Sequence, residues 1–345
     1  MHENKIMKKS TYHFSNSSTD YYFAGGIAHL NTITDKQSTV LVTDENIFNL
    51  HTKRFKNYNT IVLKPGEAYK IQATVDSIIS QLIEMQATRK TTLVGIGGGV
   101  ITDITGYVAS VYMRGIPFGF IPTSLLALVD ASIGGKNGID VGVHKNMVGT
   151  IRQPSFILHD HIFLNTLPQS EWQNGFAEII KHACIKDATM FKTLEANSFK
   201  KYQGSKKLVS ELIQRNAVLK IKTVQQDEFE TGNRKLLNFG HTLGHALENQ
   251  YELSHGQAVA IGMAYATKVS EKLLGFKQSQ KVINLLEQYN LPTFASFDKQ
   301  KAFNVLKMDK KREKESINYI LLEKIGKGII LPIPLKDLEE IINQL

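Results

Sequence analysis

The chain has 345 residues, of which 42% are hydrophobic and 21% charged, an ordinary globular composition that is too long for one small core and predicts two domains. Its single cysteine, Cys184, excludes an intrachain disulfide and suits a reducing, cytoplasmic compartment. The formal net charge of +9 comes from scattered lysines and arginines without an aromatic platform, which argues against a nucleic-acid partner and for a small anionic substrate.

At the N-terminus, basic residues are followed by Thr11, Tyr12 and His13 rather than an apolar run, so no secretory leader is expected. The β-branched runs Thr39 to Thr43 and Thr60 to Leu63 read as buried strands, and Thr74 to Gln86 places apolar residues at helical spacing. Thr91 to Ile96 and Phe118 to Ile121 are further strands. The apolar stretch Ile121 to Ile133 is broken by Pro122 and Asp130, short of the roughly 20 residues that a membrane span needs, so no membrane partner is expected. Strands alternating with helices predict a doubly wound, Rossmann-like parallel sheet over residues 1–165.

Beyond Pro168 the periodicity turns helical, over Trp172 to Ile185, Lys206 to Gln226, Leu236 to Gln250, Gly256 to Leu274 and Gln280 to Tyr289. Ile317 to Leu322 is a late strand candidate. The expected fold class is therefore α/β plus all-α, with residues 166–345 forming a mostly helical, metal-binding domain.

Three groups of residues carry chemistry. The turn from Gly95 through Gly97, Gly98 and Gly99 to Asp103 follows a strand and opens a helix, so its amides can face a pyrophosphate. It departs from the standard dinucleotide fingerprint, because Val100 stands where the third glycine belongs. The second group is His241, His245 and His255 with Glu178. A catalytic zinc takes about three protein ligands, which Glu178, His241 and His255 can supply, whereas spacing alone pairs His241 with His245. Thr242 replaces the general-base glutamate of a zinc-protease helix, which excludes the peptidase reading. Glu248 falls beyond that face as an exposed helix acid. The third group is a set of cations and amides. Arg114, Asp130, Lys136, Lys145 and Asn146 lie in glycine-punctuated loops, and the Arg234, Asn238, His241, His245 spacing places these four near one face of a single helix.

In order along the chain, GIGGGVITD, YMRG, PTSLLALVDASIGGKNG, HKNMVG, GFAEIIKH, GNRKLLNFGHTLGHALE and HGQAVAIGM together resemble the 3-dehydroquinate synthase family over about Asp44 to Lys311. The resemblance implies an NAD- and metal-dependent phosphate-eliminating cyclase. Members of the family use NAD and a divalent metal, zinc or cobalt, to convert 3-deoxy-D-arabino-heptulosonate 7-phosphate into 3-dehydroquinate and phosphate on the shikimate route to aromatic amino acids. It implies Glu178, His241 and His255 as metal ligands and a substrate-facing role for His245. Asp44, Glu67, Lys70, Gly98, Gly99 and Val100 would line the NAD site, together with Asp103, Thr123, Ser124, Lys145, Thr166 and Leu167. Lys136, Lys181, Lys220, Arg234 and Asn238 would act on the substrate, with Arg114, Asp130, Asn146 and Lys310 binding it and Arg114 reaching across a homodimer interface. Two residues depart from the family pattern, His144 for a usual glycine and Asn137 for a usual threonine. Two rival readings share this machinery, namely another sugar phosphate cyclase and a metal-dependent polyol dehydrogenase.

Overall fold

A computed structural model describes residues 8–23, 25–142, 144–248, 250–307, 312–313 and 316–344. In chain order the first part contains β1 (Lys8–His13), β2 (Ser18–Phe23), α1 (Leu30–Ile33), β3 (Thr39–Asp44), α2 (Glu45–Phe55), β4 (Asn59–Leu63) and α3 (Gln72–Glu84). It continues with β5 (Thr92–Gly97), α4 (Gly99–Val111), β6 (Phe118–Pro122), β7 (Lys136–Val141), β8 (His144–Ile151) and β9 (Phe156–Leu158). Then follow α5 (Gln169–Lys186), α6 (Ala188–Glu195), α7 (Phe199–Gly204), α8 (Lys206–Gln226), α9 (His241–Glu248) and α10 (His255–Leu274). The chain ends with α11 (Ser279–Gln288), α12 (Lys299–Lys307), β10 (Arg312–Glu313), β11 (Ser316–Lys324), β12 (Lys327–Pro334) and α13 (Leu335–Gln344).

The first seven-stranded sheet has the order β1-β2-β9-β6-β5-β3-β4, parallel except for the β1–β2 pair. Its central strands are buried on both faces, which is why they read as uninterrupted apolar runs rather than alternating ones. Val40, Val42, Leu93, Phe118 and Phe120 meet α3 and α4 on one face, while Leu41, Val94, Ile96 and Ile121 pack with Leu30 and Phe55 on the other. Strand order reverses between β3 and β5, the point in a doubly wound sheet where the carboxyl ends of the strands leave a ligand crevice.

By their contacts, residues 1–168 and 210–229 form one compact unit, and residues 169–209 and 230–345 a second. Sequence periodicity assigns all of α8 to the helical half, but Ala217 and Ile221 of that helix are buried in the core of the parallel sheet. An amphipathic pattern specifies which face is buried, not which partner buries it.

In the second unit α5 and α10 are buried along most of their length, and an aromatic cluster of Trp172, Phe176, Phe199, Tyr202 and Tyr289 packs at the start of α5. Ser254 and Gln257 close a capping box at the N-terminus of α10, which fixes where His255 begins that helix. The unit also holds the antiparallel sheet β10-β11-β12, of which the sequence signals only β11.

The expected single helix from 236 to 250 is two pieces, a 3-10 turn over Asn233–Asn238 and α9, separated at Phe239 and Gly240. Gly240 has φ +78°, and a Cβ there would lie 2.5 Å from Met263 Cγ and 2.7 Å from the Val259 carbonyl oxygen. Arg234 and Asn238 therefore do not share a helical face with His241 and His245. The Gly240→Ala protein is expected to lose about 2–4 kcal/mol of stability from backbone strain and overpacking together, read by denaturant melting. An unchanged midpoint would mean that the break is not held by its packing against α10.

Candidate active site

At the reversal point the first unit brings together the carboxyl ends of β3 and β5. Asp44 ends β3 and caps α2, its carboxylate accepting from the Ile47 amide at 3.1 Å, and burial raises its carboxyl above the usual range. At the end of β5, Gly97 lies where any Cβ would come within 2.5 Å of Ile101, so the turn into α4 closes only around glycine. Gly98 is the N-cap of α4 without a side-chain cap, and Gly99 and Val100 form the first turn, leaving amides free to meet an anion. Thr123 donates its amide to the Gly97 carbonyl at 2.9 Å, and Ser124 Oγ accepts from the Ala127 amide at 3.2 Å.

Lys70 is the hub of this end. Its buried ammonium lies 2.7 Å from Asp103 Oδ2 and 3.8 Å from Glu67 Oε1, and donates to Asn146 Oδ1 at 2.6 Å. Burial works to lower its pKa, but the charges of Asp103 and Glu67 outweigh burial and hold the lysine above its ordinary value. Asn146, at φ +54°, also donates its amide to Asp140 Oδ1 at 2.7 Å, and the Asp140 amide donates to the Lys70 carbonyl at 2.8 Å, so Lys70 holds both strands of the β7–β8 hairpin. Lys220 of α8 lies 2.7 Å from Asp130 Oδ2 and donates to the Asp130 carbonyl at 2.8 Å. Thr166 bonds the His51 ring at 2.9 Å, with Leu167 closing the same turn. Lys136 and Arg114 are exposed and Lys145 half-buried, and Arg114 follows Met113 in a turn where both have positive φ.

The second unit holds a cluster of two imidazoles and one carboxylate. Glu178 is fully buried on α5, and its Oε1 lies 3.4 Å from His241 Nε2 and 3.3 Å from His255 Nε2. Glu178, His241 and His255 each offer one ligand atom, and these atoms lie within 4.8 Å of one another. A buried carboxylate between two imidazole nitrogens is the donor set of a zinc-type divalent cation. Spacing pairs His241 with His245, whereas the group assembled around Glu178 joins His241 to His255, each with Nε2 within 3.4 Å of the Glu178 carboxylate. Spacing on one helix cannot reveal ligands brought from α5 and α10. Burial acts to lower the His255 pKa, yet the carboxylates of Glu178 and Glu248 on its two nitrogens push it up to about 10. A cation entering the site must displace that proton.

Lys181 pairs with Glu178 one turn along α5 and is itself buried. Asn238 donates to Glu230 Oε1 at 2.7 Å, and Arg234 is buried in the preceding turn. Glu248, expected as an exposed acid, has a side chain only 12% exposed, with Oε2 3.5 Å from His255 Nδ1. The seven-residue interval from His241 is two helical turns, which returns Glu248 to the same side, and that interval was the available signal. Lys310 lies outside the described residues.

Models of the 3-dehydroquinate synthase N-terminal and C-terminal regions match residues 60–174 and 175–312. The 3-dehydroquinate synthase of Pyrococcus abyssi is 41% identical over 83% of this chain and 85% of its own length, and that of Nitratiruptor sp. 40% identical over 87% and 88%. The chain belongs to the 3-dehydroquinate synthase family. Among solved structures, 2-epi-5-epi-valiolone synthase from Streptomyces hygroscopicus subsp. jinggangensis 5008, with NAD+ and Zn2+ bound, superposes with TM-score 0.87 at 25% identity, covering 97% of this chain and 98% of that one. A 2-deoxy-scyllo-inosose synthase shares the fold, with TM-score 0.83 at 23% identity over 98% of this chain and 100% of that one. An iron-containing alcohol dehydrogenase is more distant, with TM-score 0.67 at 14% identity over 97% and 99%.

In this 3-dehydroquinate synthase family member the two departures have different surroundings. Asn137 is buried and donates to the Gly135 and Arg152 carbonyls at 2.8 and 3.0 Å, so it ties the start of β7 to the chain after β8. His144 is exposed at the start of β8.

Proposed function

We propose that this 3-dehydroquinate synthase family member converts 3-deoxy-D-arabino-heptulosonate 7-phosphate into 3-dehydroquinate and phosphate, as a carbon–oxygen lyase working in the cytoplasm with NAD and one divalent cation, zinc or cobalt. The observation that carries the reading is the Glu178–His241–His255 donor set in a chain 41% identical to a 3-dehydroquinate synthase over most of both lengths. The 2-epi-5-epi-valiolone synthase with NAD+ and Zn2+ bound supports the same pair of cofactors. When bound, NAD would supply reversible hydride transfer and the cation would acidify the hydroxyl being oxidised.

The chain's own part is binding, orientation and charge. Glu178, His241 and His255 hold the cation. The amides of Gly98, Gly99 and Val100 take the pyrophosphate of NAD, and Asp44, Glu67, Lys70, Asp103, Thr123, Ser124, Lys145, Thr166 and Leu167 complete that site. Lys136, Lys181, Lys220 and Arg234 offset the negative charge of the substrate's phosphate and carboxylate, Asn238 and His245 orient its hydroxyls, and Asp130, Asn146 and Lys310 bind alongside. Among the described residues, no helix is long and apolar enough to cross a membrane.

A homodimer belongs to the same proposal. The exposed apolar side chains Met113, Met147 and Ile151, at 43%, 60% and 42% exposure, lie on the turn that carries Arg114 and on β8, a surface suited to a second copy. Met147→Asp is expected to shift the protein toward monomer in sedimentation, and a wild-type monomer would reject the dimer.

Phosphate release from the heptulosonate phosphate tests the activity. The expected result is release that depends on added cation, stops with chelator, and leaves no net reduced nicotinamide. Accumulating reduced nicotinamide with a simple polyol, without phosphate release, would replace the reading with a dehydrogenase.

A further inference from the structure

We propose that Glu248 is a positioning residue: its carboxylate takes the proton of His255 Nδ1 in a hydrogen bond and thereby turns Nε2 toward Glu178 and the cation. The inference rests on the reading of Glu178, His241 and His255 as the ligands. Both histidines use their nitrogens in the same way. His241 sets Nε2 3.4 Å from Glu178 and Nδ1 3.2 Å from the Phe239 carbonyl oxygen, while His255 sets Nε2 3.3 Å from Glu178 and Nδ1 3.5 Å from Glu248. An imidazole that gives one N–H to an oxygen presents a lone pair on the other nitrogen, so the acceptor fixes both tautomer and ring angle.

Helix stability does not explain the acid. Glu248 is the last residue of α9, where the helix dipole disfavours a negative charge, and its side chain is only 12% exposed. A carboxylate so placed needs a positive or donating partner, and the His255 ring supplies one. The backbone of His255 is fixed separately, because Asn174 Oδ1 accepts from Ser254 Oγ at 2.8 Å and from the Gly256 amide at 3.0 Å. Asn174 lies one helical turn before Glu178 on α5, so the same helix sets both the ligand carboxylate and the start of α10. With the backbone held, the remaining freedom is rotation of the ring, and Glu248 removes it. The carboxylate also makes His255 a stronger donor than His241, whose partner is a neutral carbonyl.

Metal-stripped wild-type, Glu248→Gln and Glu248→Ala proteins titrated with cobalt(II) against a chelating dye test this. Glu248→Ala is expected to bind about 10- to 100-fold more weakly and to shift the visible cobalt band, with a cooperative melting transition retained before cobalt is added. Glu248→Gln keeps an oxygen acceptor for Nδ1–H and is expected to fall between the two. Should the alanine variant not fold, weaker binding with a shifted band in Glu248→Gln supports the proposal, and wild-type affinity and band overturn it. A wild-type chain that takes up no cobalt overturns the ligand reading and this one together, whereas normal uptake with an unchanged Glu248→Ala variant overturns this one alone.

Discussion

Replacing His255 with alanine is expected to strip the cation from the protein as purified and to lower turnover by on the order of a thousandfold or more, the equivalent of about 4 kcal/mol of barrier. Fewer than three protein ligands leave a divalent cation weakly held, and without His255 that group keeps only Glu178 and His241. Loss of folding is not expected, because His255 begins α10 at a site where Ser254, Gln257 and Asn174 supply the capping bonds. Elemental analysis beside a turnover assay reads both effects. A soluble variant with full cation content and normal turnover would remove His255 from the site.

Lys181→Met is expected to destabilise the cation-free protein by about 3–5 kcal/mol, because it removes the buried ammonium paired with the fully buried Glu178 carboxylate and leaves the His241 and His255 rings to offset that charge. That corresponds to a melting temperature lower by roughly 10 °C. With zinc present the loss should shrink, since a bound divalent cation offers Glu178 another positive partner. The measurable signature is a larger zinc-induced rise in melting temperature for the variant than for the wild type. Equal shifts, or an unaltered cation-free melting curve, would mean that Lys181 does not compensate the Glu178 charge.

The sequence makes the sheet legible because parallel strands buried on both faces, such as Thr39–Asp44 and Phe118–Pro122, show as short apolar runs. The β7–β8 hairpin is not legible, since Met147, Val148 and Ile151 are apolar yet exposed and the pattern carries no one-sided burial. Strand β12 is hidden by Pro332 and Pro334, which fit an edge strand but read as breakers. The kink at Gly240 escapes because apolar spacing runs through it, while positive φ shows only in the backbone.

The site divides in the same manner. The glycine turn is local, so its place before α4 follows from order along the chain. The candidate cation site is long-range: Glu178, His241 and His255 come from three helices, and periodicity offers His245 in place of His255. Only the ordered set of family motifs points to His255, whose ring nitrogen lies 3.3 Å from Glu178. Lys70 is as silent, because its contacts with Asp103 and Asn146 join segments far apart in sequence.

The most direct test is anomalous diffraction from crystals grown with zinc or cobalt. A single strong peak is predicted at about 2.0–2.2 Å from one Glu178 oxygen and from Nε2 of His241 and His255, with His245 outside bonding distance. A peak ligated by His245 instead of His255, or no peak at Glu178, would contradict the account.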